Sequence, residues 1–202
     1  MRGYFGLVIC LLASWACGQD ISHGYPFFRP NLEVKVPNLP ALMARTRDRS
    51  DVLLTSLDII FHDHEICCGR DSVLEDSAAA ADPQSMKDII GKLQGRHLLS
   101  DGRPISVSVV DLAPSGQNPV PIVDALVQKH ALLLMWKSRL YVMYGALYDE
   151  SIYDDGTRTD TINKFYLLDT RYSDERRQAS FSRTTDSWND VQGLFLLTFA
   201  PM

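Results

Sequence analysis

The chain of 202 residues carries 20 basic and 25 acidic side chains and a net charge of −5. A mildly acidic chain without a long run of like charges has no electrostatic reason to bind nucleic acid or anionic lipid, so neither is expected as a partner. The length fits one domain with a sizeable hydrophobic core.

Residues 1–18 have the layout of a secretory signal peptide. Arg2 precedes an apolar run that ends at Ala16, and this run is too short to cross a bilayer stably. Cleavage after Ala16 or Gly18 is expected. Lipidation at Cys17 is the alternative, but Ser14 and Trp15 before it match a lipoprotein signal poorly. The prediction is a secreted or periplasmic protein without a transmembrane segment.

Residues 19–38 contain three prolines and no clear periodicity, and they are predicted to form an extended lead-in. Residues 39–202 are predicted to form a single domain. Its first half has capping residues and apolar positions at helical spacing, which predict helices near 52–61, 72–81 and 83–94.

After Gly102 the pattern changes to that of β-strands, first in the alternation of residues 105–109. One more short helix is predicted over 119–128, a hairpin-length turn at 137–139, and a polar loop over 149–161. The further predicted strands are 131–136, 140–148, 164–169, 178–183 and 193–200. The sequence therefore predicts an α+β fold with a helical N-terminal half packed on a mostly antiparallel β-sheet.

Two adjacent cysteines lie in the stretch FHDHEICCGRDSVLED. Cys67 and Cys68 are the only cysteines beyond the predicted leader, so their only disulfide partners are each other. They could form a strained vicinal disulfide, for which Gly69 would ease the turn, or contain a reactive thiol, or bind a metal.

Metal binding is the weakest of these alternatives. His62, His64, Cys67 and Cys68 are all zinc-ligand types, but their spacing matches no familiar structural-zinc pattern. If the preceding helix reaches this point, the two histidines point about 200° apart around its axis. Neither a metal nor a cofactor is predicted.

A cysteine nucleophile needs an imidazole base, and a third group that orients the imidazole. Cys67 or Cys68 would be the nucleophile, since both precede a predicted helix start. His130 opens a predicted strand and would be the base. Asp169 closes another strand and would orient that base.

The runs ALLLMWKSRLYVMYGALYDE and NKFYLLDTRY resemble the C-terminal half of bacterial papain-like cysteine peptidases. In that superfamily, a histidine-bearing strand ending near a glycine is followed by a strand ending in Asp or Asn. The resemblance covers roughly Cys67 to Tyr172 and implies a papain-like fold. The chain departs from the pattern at Arg139 and Leu140, where the family's histidine would lie, and it has no glutamine shortly before Cys67.

Two functional hypotheses follow from the sequence. In the first, the protein is a divergent, degenerate relative of these peptidases. It would act as a non-catalytic binding or structural module of the cell envelope, with a Cys67–Cys68 clip and a peptide or protein partner. In the second, it is an active thiol peptidase or amidohydrolase that uses Cys67 or Cys68, His130 and Asp169.

Overall fold

The computed structural model describes residues 25–39, 52–64, 66, 83–99, 101–113, 119–172, 178–182 and 188–202. The predicted signal peptide, the predicted helix over 72–81 and both Cys67 and Cys68 lie outside the described residues.

The described residues form eight strands, three α-helices and one short 3-10 helix. In chain order they are β1 (Phe27–Lys35), α1 (Val52–Asp63), α2 (Pro83–Lys92), β2 (Gly95–Leu98), β3 (Pro104–Asp111), α3 (Val120–Val127), β4 (Leu132–Trp136), β5 (Arg139–Ile152), β6 (Arg158–Leu168), β7 (Gln178–Ser182), the 3-10 helix (Trp188–Asp190) and β8 (Val191–Pro201).

The prediction of a helical N-terminal half is wrong, because the described residues form a mostly antiparallel β-sheet with only three short α-helices. Both α1 and α2 fall where helical spacing predicted them. The structure differs from the prediction in the neighbouring elements, because strand β1 precedes these helices and strand β2 follows them. The sequence of β1, FFRPNLEVK, lacks strand alternation because most of its side chains are exposed, and its strand conformation comes from backbone pairing with β5.

The strands form one sheet in the order β2-β3-β8-β4-β5-β6-β7, with neighbouring strands antiparallel. Strand β5 has 14 residues and β4 only 5, so β4 covers one part of an edge of β5. Strand β1 continues that edge, since Leu132 of β4 pairs with Met143 and Lys35 of β1 pairs with Gly145. The predicted lead-in therefore contributes a strand to the domain's own sheet.

The prediction of a polar loop over 149–161 is also wrong. Strand β5 runs on to Ile152 and β6 begins at Arg158, which leaves a five-residue turn. The polar residues extend the hairpin because their charges are compensated across it. The paired residues Glu150 and Asp160 are buried, and both contact the Arg158 guanidinium.

The core lies mainly between the sheet and the helices. Leu57, Ile60 and Phe61 of α1 are buried, and the Phe61 ring packs 4.9 Å from the ring of Phe199 on β8. Ile90 of α2 is fully buried. This packing holds the C-terminal end of α1 against the sheet, beside the start of β4.

Candidate functional site: a half-buried histidine pair

Two histidines meet between the end of α1 and the start of β4. The rings of His64 and His130 have centroids 5.1 Å apart and planes inclined by 18°. The ring of Phe199 on β8 lies 4.7 Å from that of His64 and closes one side of the pair. The structure thus brings together one predicted site residue, His130, and a histidine that the sequence placed in a different cluster.

The end of α1 turns His64 inward. The helix ends at Asp63, and the His64 amide donates to the carbonyls of both Ile60 and Phe61. The Ile66 amide then reaches back to Phe61 as well. His62, two residues earlier, is exposed, so the two neighbouring histidines do not share a site.

His130 is positioned by the C-terminal cap of α3. Lys129 adopts a left-handed conformation at φ 65°, and its amide donates to the carbonyl of Leu126. The His130 amide donates to the carbonyl of Ala125, and together these bonds form a Schellman motif. The motif ends α3 with lysine in place of the usual glycine and directs the chain into β4.

Each ring of the pair has a buried nitrogen without a hydrogen-bond partner among the described residues: Nε2 of His64 and Nδ1 of His130. Buried polar atoms nearly always have a partner, so two such atoms in one ring pair are unusual. Burial, and to a lesser extent the charge of His130, lowers the pKa of His64 to about 4. At neutral pH the His64 imidazole is therefore uncharged, and its unprotonated nitrogen can act as a base or a metal ligand.

The predicted orienting residue Asp169 has a different partner. Its side chain is buried in the turn after β6, where Arg171 donates to both carboxylate oxygens, with 2.8 Å between Nε and Oδ1. The Arg171 amide also donates to Oδ1. The paired carboxylate raises the pKa of the Arg171 guanidinium. The adjacent residue Thr170 forms a hydrogen bond with Ser56 of α1, which connects this turn to the helix.

The strand register keeps Asp169 away from His130. Leu132 on β4 and Leu167 on β6 both pair with Met143 of β5. His130 precedes Leu132 by two residues, whereas Asp169 follows Leu167 by two, and the two strands run in the same direction. The two residues are therefore about 13 Å apart along the strands and about 10 Å apart across them. Asp169 does not reach the imidazole of His130.

The proposed nucleophiles Cys67 and Cys68 lie outside the described residues, so their part in the site stays a prediction. They follow His64 by three and four residues in the chain. The sequence analysis missed the pairing of His64 with His130. A signal was present, because His64 continues the buried stripe of Leu57, Ile60 and Phe61 at helical spacing.

No family model matches the chain, and no curated protein or solved structure matches it either. None of the described helices is both long enough and apolar enough to cross a membrane.

Proposed function

We propose that the protein is an exported, non-catalytic binding or structural module of the cell envelope in which Cys67 and Cys68 form a disulfide clip. The observation that carries this proposal is that the Asp169 carboxylate accepts its hydrogen bonds from Arg171. The strand register places Asp169 too far from His130 to orient the His130 imidazole by a hydrogen bond. A cysteine nucleophile depends on an imidazole that a third group orients. The described partner of the His130 ring is another histidine.

Export and the clip are supported by the sequence. The leader-like residues 1–18 precede a chain in which Cys67 and Cys68 are the only cysteines, and an oxidising compartment favours their oxidation. A vicinal bridge is strained and therefore more reducible than one that closes a long loop.

A peptide or protein partner is supported by the open edge of the sheet. Among the described residues, β2 pairs only with β3, and Leu98 at its end is exposed. An extended segment of a partner could add to this edge through main-chain hydrogen bonds.

The second candidate is a thiol hydrolase that uses Cys67 or Cys68 with His130 as its base. One observation favours it: Nδ1 of His130 is buried and has no hydrogen-bond partner among the described residues, so it could accept a proton. The base would then act without Asp169.

Labelling the non-reduced protein with iodoacetamide separates the two functions. In the proposed module, mass spectrometry finds Cys67 and Cys68 joined and unlabelled at pH 5.5 and at pH 8, and both become labelled after reductant is added. Rapid labelling of one cysteine at pH 5.5, lost in His130→Phe and kept in the exposed control His62→Ala, would overturn the proposal in favour of the hydrolase.

A further inference from the structure

We propose that one end of the sheet is a membrane-docking tip, which enters the interface of an electrically neutral lipid bilayer. The tip consists of the start of β1 and the adjoining end of β5, with the residues Tyr25, Phe27, Phe28, Ile152 and Tyr153. The inference rests on the envelope role proposed above, because it names the surface that holds the exported module. It depends neither on the disulfide clip nor on a partner at β2.

The tip concentrates exposed aromatic side chains. Tyr25, Phe27 and Phe28 are 98%, 67% and 56% exposed, and Tyr153 in the adjoining turn is 38% exposed. The pairing of Phe27 with Ile152 brings the two segments to the same end of the sheet. Large apolar side chains that are exposed together mark a surface that binds a protein or a membrane.

The two phenylalanines identify the membrane as the occupant, because they lie on opposite faces of the sheet. Phe27 and Phe28 are consecutive in a regular stretch of β1, where they pair with Ile152 and Ser151. Successive side chains of a strand point to opposite faces. A second copy of the chain, or a folded partner, that packed on one face would leave the other ring in water. A bilayer interface is fluid and surrounds an inserted tip on both sides.

The residue types also suit a bilayer interface. Aromatic rings bury their apolar surface there, and tyrosine keeps its hydroxyl group in contact with water. After the predicted cleavage at Gly18, Tyr25 would be the seventh residue of the exported chain. The tip is therefore close in sequence to the segment that the export machinery releases from the membrane.

The charges around the tip select a neutral lipid. Asp154 and Asp155, in the turn between β5 and β6, are exposed. Arg29 on β1 and Arg158 on β6 are each paired with a carboxylate, at 2.8 Å and 2.6 Å. The exposed aspartates repel anionic lipids such as phosphatidylglycerol, whereas the ammonium groups of phosphatidylcholine and phosphatidylethanolamine attract them.

The test is co-sedimentation of the protein with vesicles of phosphatidylcholine and phosphatidylethanolamine. The full chain is expressed and purified after export, and its intact mass verifies that residues 1–18 are gone, since an uncleaved leader would bind lipid by itself. A failure of export counts against the proposed function and is seen before any vesicle is added.

We expect the neutral vesicles to bind the protein with little dependence on salt, and to bind it less when phosphatidylglycerol is included. Phe27→Ser and Phe28→Ser should each weaken binding at least about fivefold, because an inserted ring is lost. Leu98→Ser is the matched control, since Leu98 is 63% exposed on β2, and it should bind as the wild type does.

Fluorescence quenching by nitroxide-labelled phosphatidylcholine tests insertion on both faces. The tryptophan introduced by Phe27→Trp, and that introduced by Phe28→Trp, should each be quenched beyond the native tryptophans of the wild type. Circular dichroism checks that each variant keeps its fold. The proposal is overturned if neutral vesicles leave the protein in the supernatant, and a dimer that the serine changes dissociate would then assign the rings to a second copy. It is also overturned if both serine variants bind as the wild type does, or if only one introduced tryptophan is quenched.

Discussion

A Cβ atom on Gly145 of β5 would lie 2.5 Å from the carbonyl oxygen of Val34 on β1. It would also lie 2.9 Å from Cγ of Lys35, the residue that pairs with Gly145. The close approach occurs where the edge of β5 passes from β4 to β1. Glycine is needed there so that β1 can pair with β5.

We expect Gly145→Ala to lower the free energy of unfolding by about 1–3 kcal/mol, because the new methyl group must displace backbone. Urea denaturation measures the change. The matched control is Gly91→Ala in α2, where nothing lies within 4 Å of the added atom. That change should stabilise the protein by about 0.5–1 kcal/mol through helix propensity. Equal effects of the two substitutions would contradict the packing argument.

The two-residue turn between β4 and β5 is strained. Lys137 and Ser138 both have positive φ, 49° and 59°, as a type I′ turn requires, yet neither is glycine or asparagine. Gln192 accepts a hydrogen bond from the Ser138 amide and helps to hold the turn.

We expect Ser138→Gly to raise the free energy of unfolding by about 1 kcal/mol, since it removes the left-handed penalty and keeps the backbone amide. Thermal and urea denaturation check this. Gly156→Ala in the turn between β5 and β6, at φ 81°, is the reciprocal control and should destabilise the protein. A neutral effect of Ser138→Gly would contradict the strain argument, because the hydrogen bond from the backbone amide of residue 138 to Gln192 is present in both proteins.

Arg158 neutralises a buried carboxylate. Its Nη2 lies 2.6 Å from Oδ2 of Asp160, whose side chain has no exposed surface, and its Nη1 lies 2.8 Å from Asp124 of α3. We expect Arg158→Met to cost about 3 kcal/mol in urea denaturation, because it leaves the Asp160 charge buried without a partner.

The comparison is Arg103→Met, which breaks an exposed ion pair with Asp101 and should cost less than about 1 kcal/mol. Adding Asp160→Asn to Arg158→Met should recover part of the loss. If the two arginine variants cost the same, the burial of Asp160 does not control the stability of the hairpin.

The lowered pKa of His64 predicts that the stability of the protein depends on pH. The unfolded chain binds a proton at His64 near pH 6.5, whereas the folded chain binds it only near pH 4. The stabilising contribution is therefore fully present above pH 6.5 and is lost as the pH falls towards 4. Urea denaturation across this pH range should show the loss of stability for the wild type and a shallower dependence on pH for His64→Phe. His62→Ala should retain the wild-type slope, and an equal change in both variants would point away from His64.

Local patterns in the sequence located many of the elements. The apolar spacing of Leu57, Ile60 and Phe61 predicted α1, and the alternation from Ile105 predicted β3. These patterns did not predict the segments whose conformation depends on a neighbouring strand or on nearby charges. Strand β1 and the outer half of the β5–β6 hairpin have polar or irregular sequences, and backbone pairing and the charges around Arg158 make them strands.

For the candidate site too, the sequence identified individual residues but not the contacts between them. His130 stood out because it precedes an apolar strand, and Asp169 because it ends one. Which residues they contact depends on strand register and on the ends of α1 and α3, and neither is encoded by residue type. The sequence paired His130 with Asp169, whereas the structure pairs His130 with His64 and Asp169 with Arg171.

The sequence by itself determined the acidic charge, the two cysteines beyond the leader-like segment, and the local helices and strands, because these follow from composition and from periodicities of a few residues. Only the tertiary structure decided that β1 completes the edge of β5 and that the rings of two distant histidines stack on each other. Those contacts depend on which hydrophobic faces pack together and on the register of antiparallel strands, which no short window of sequence contains.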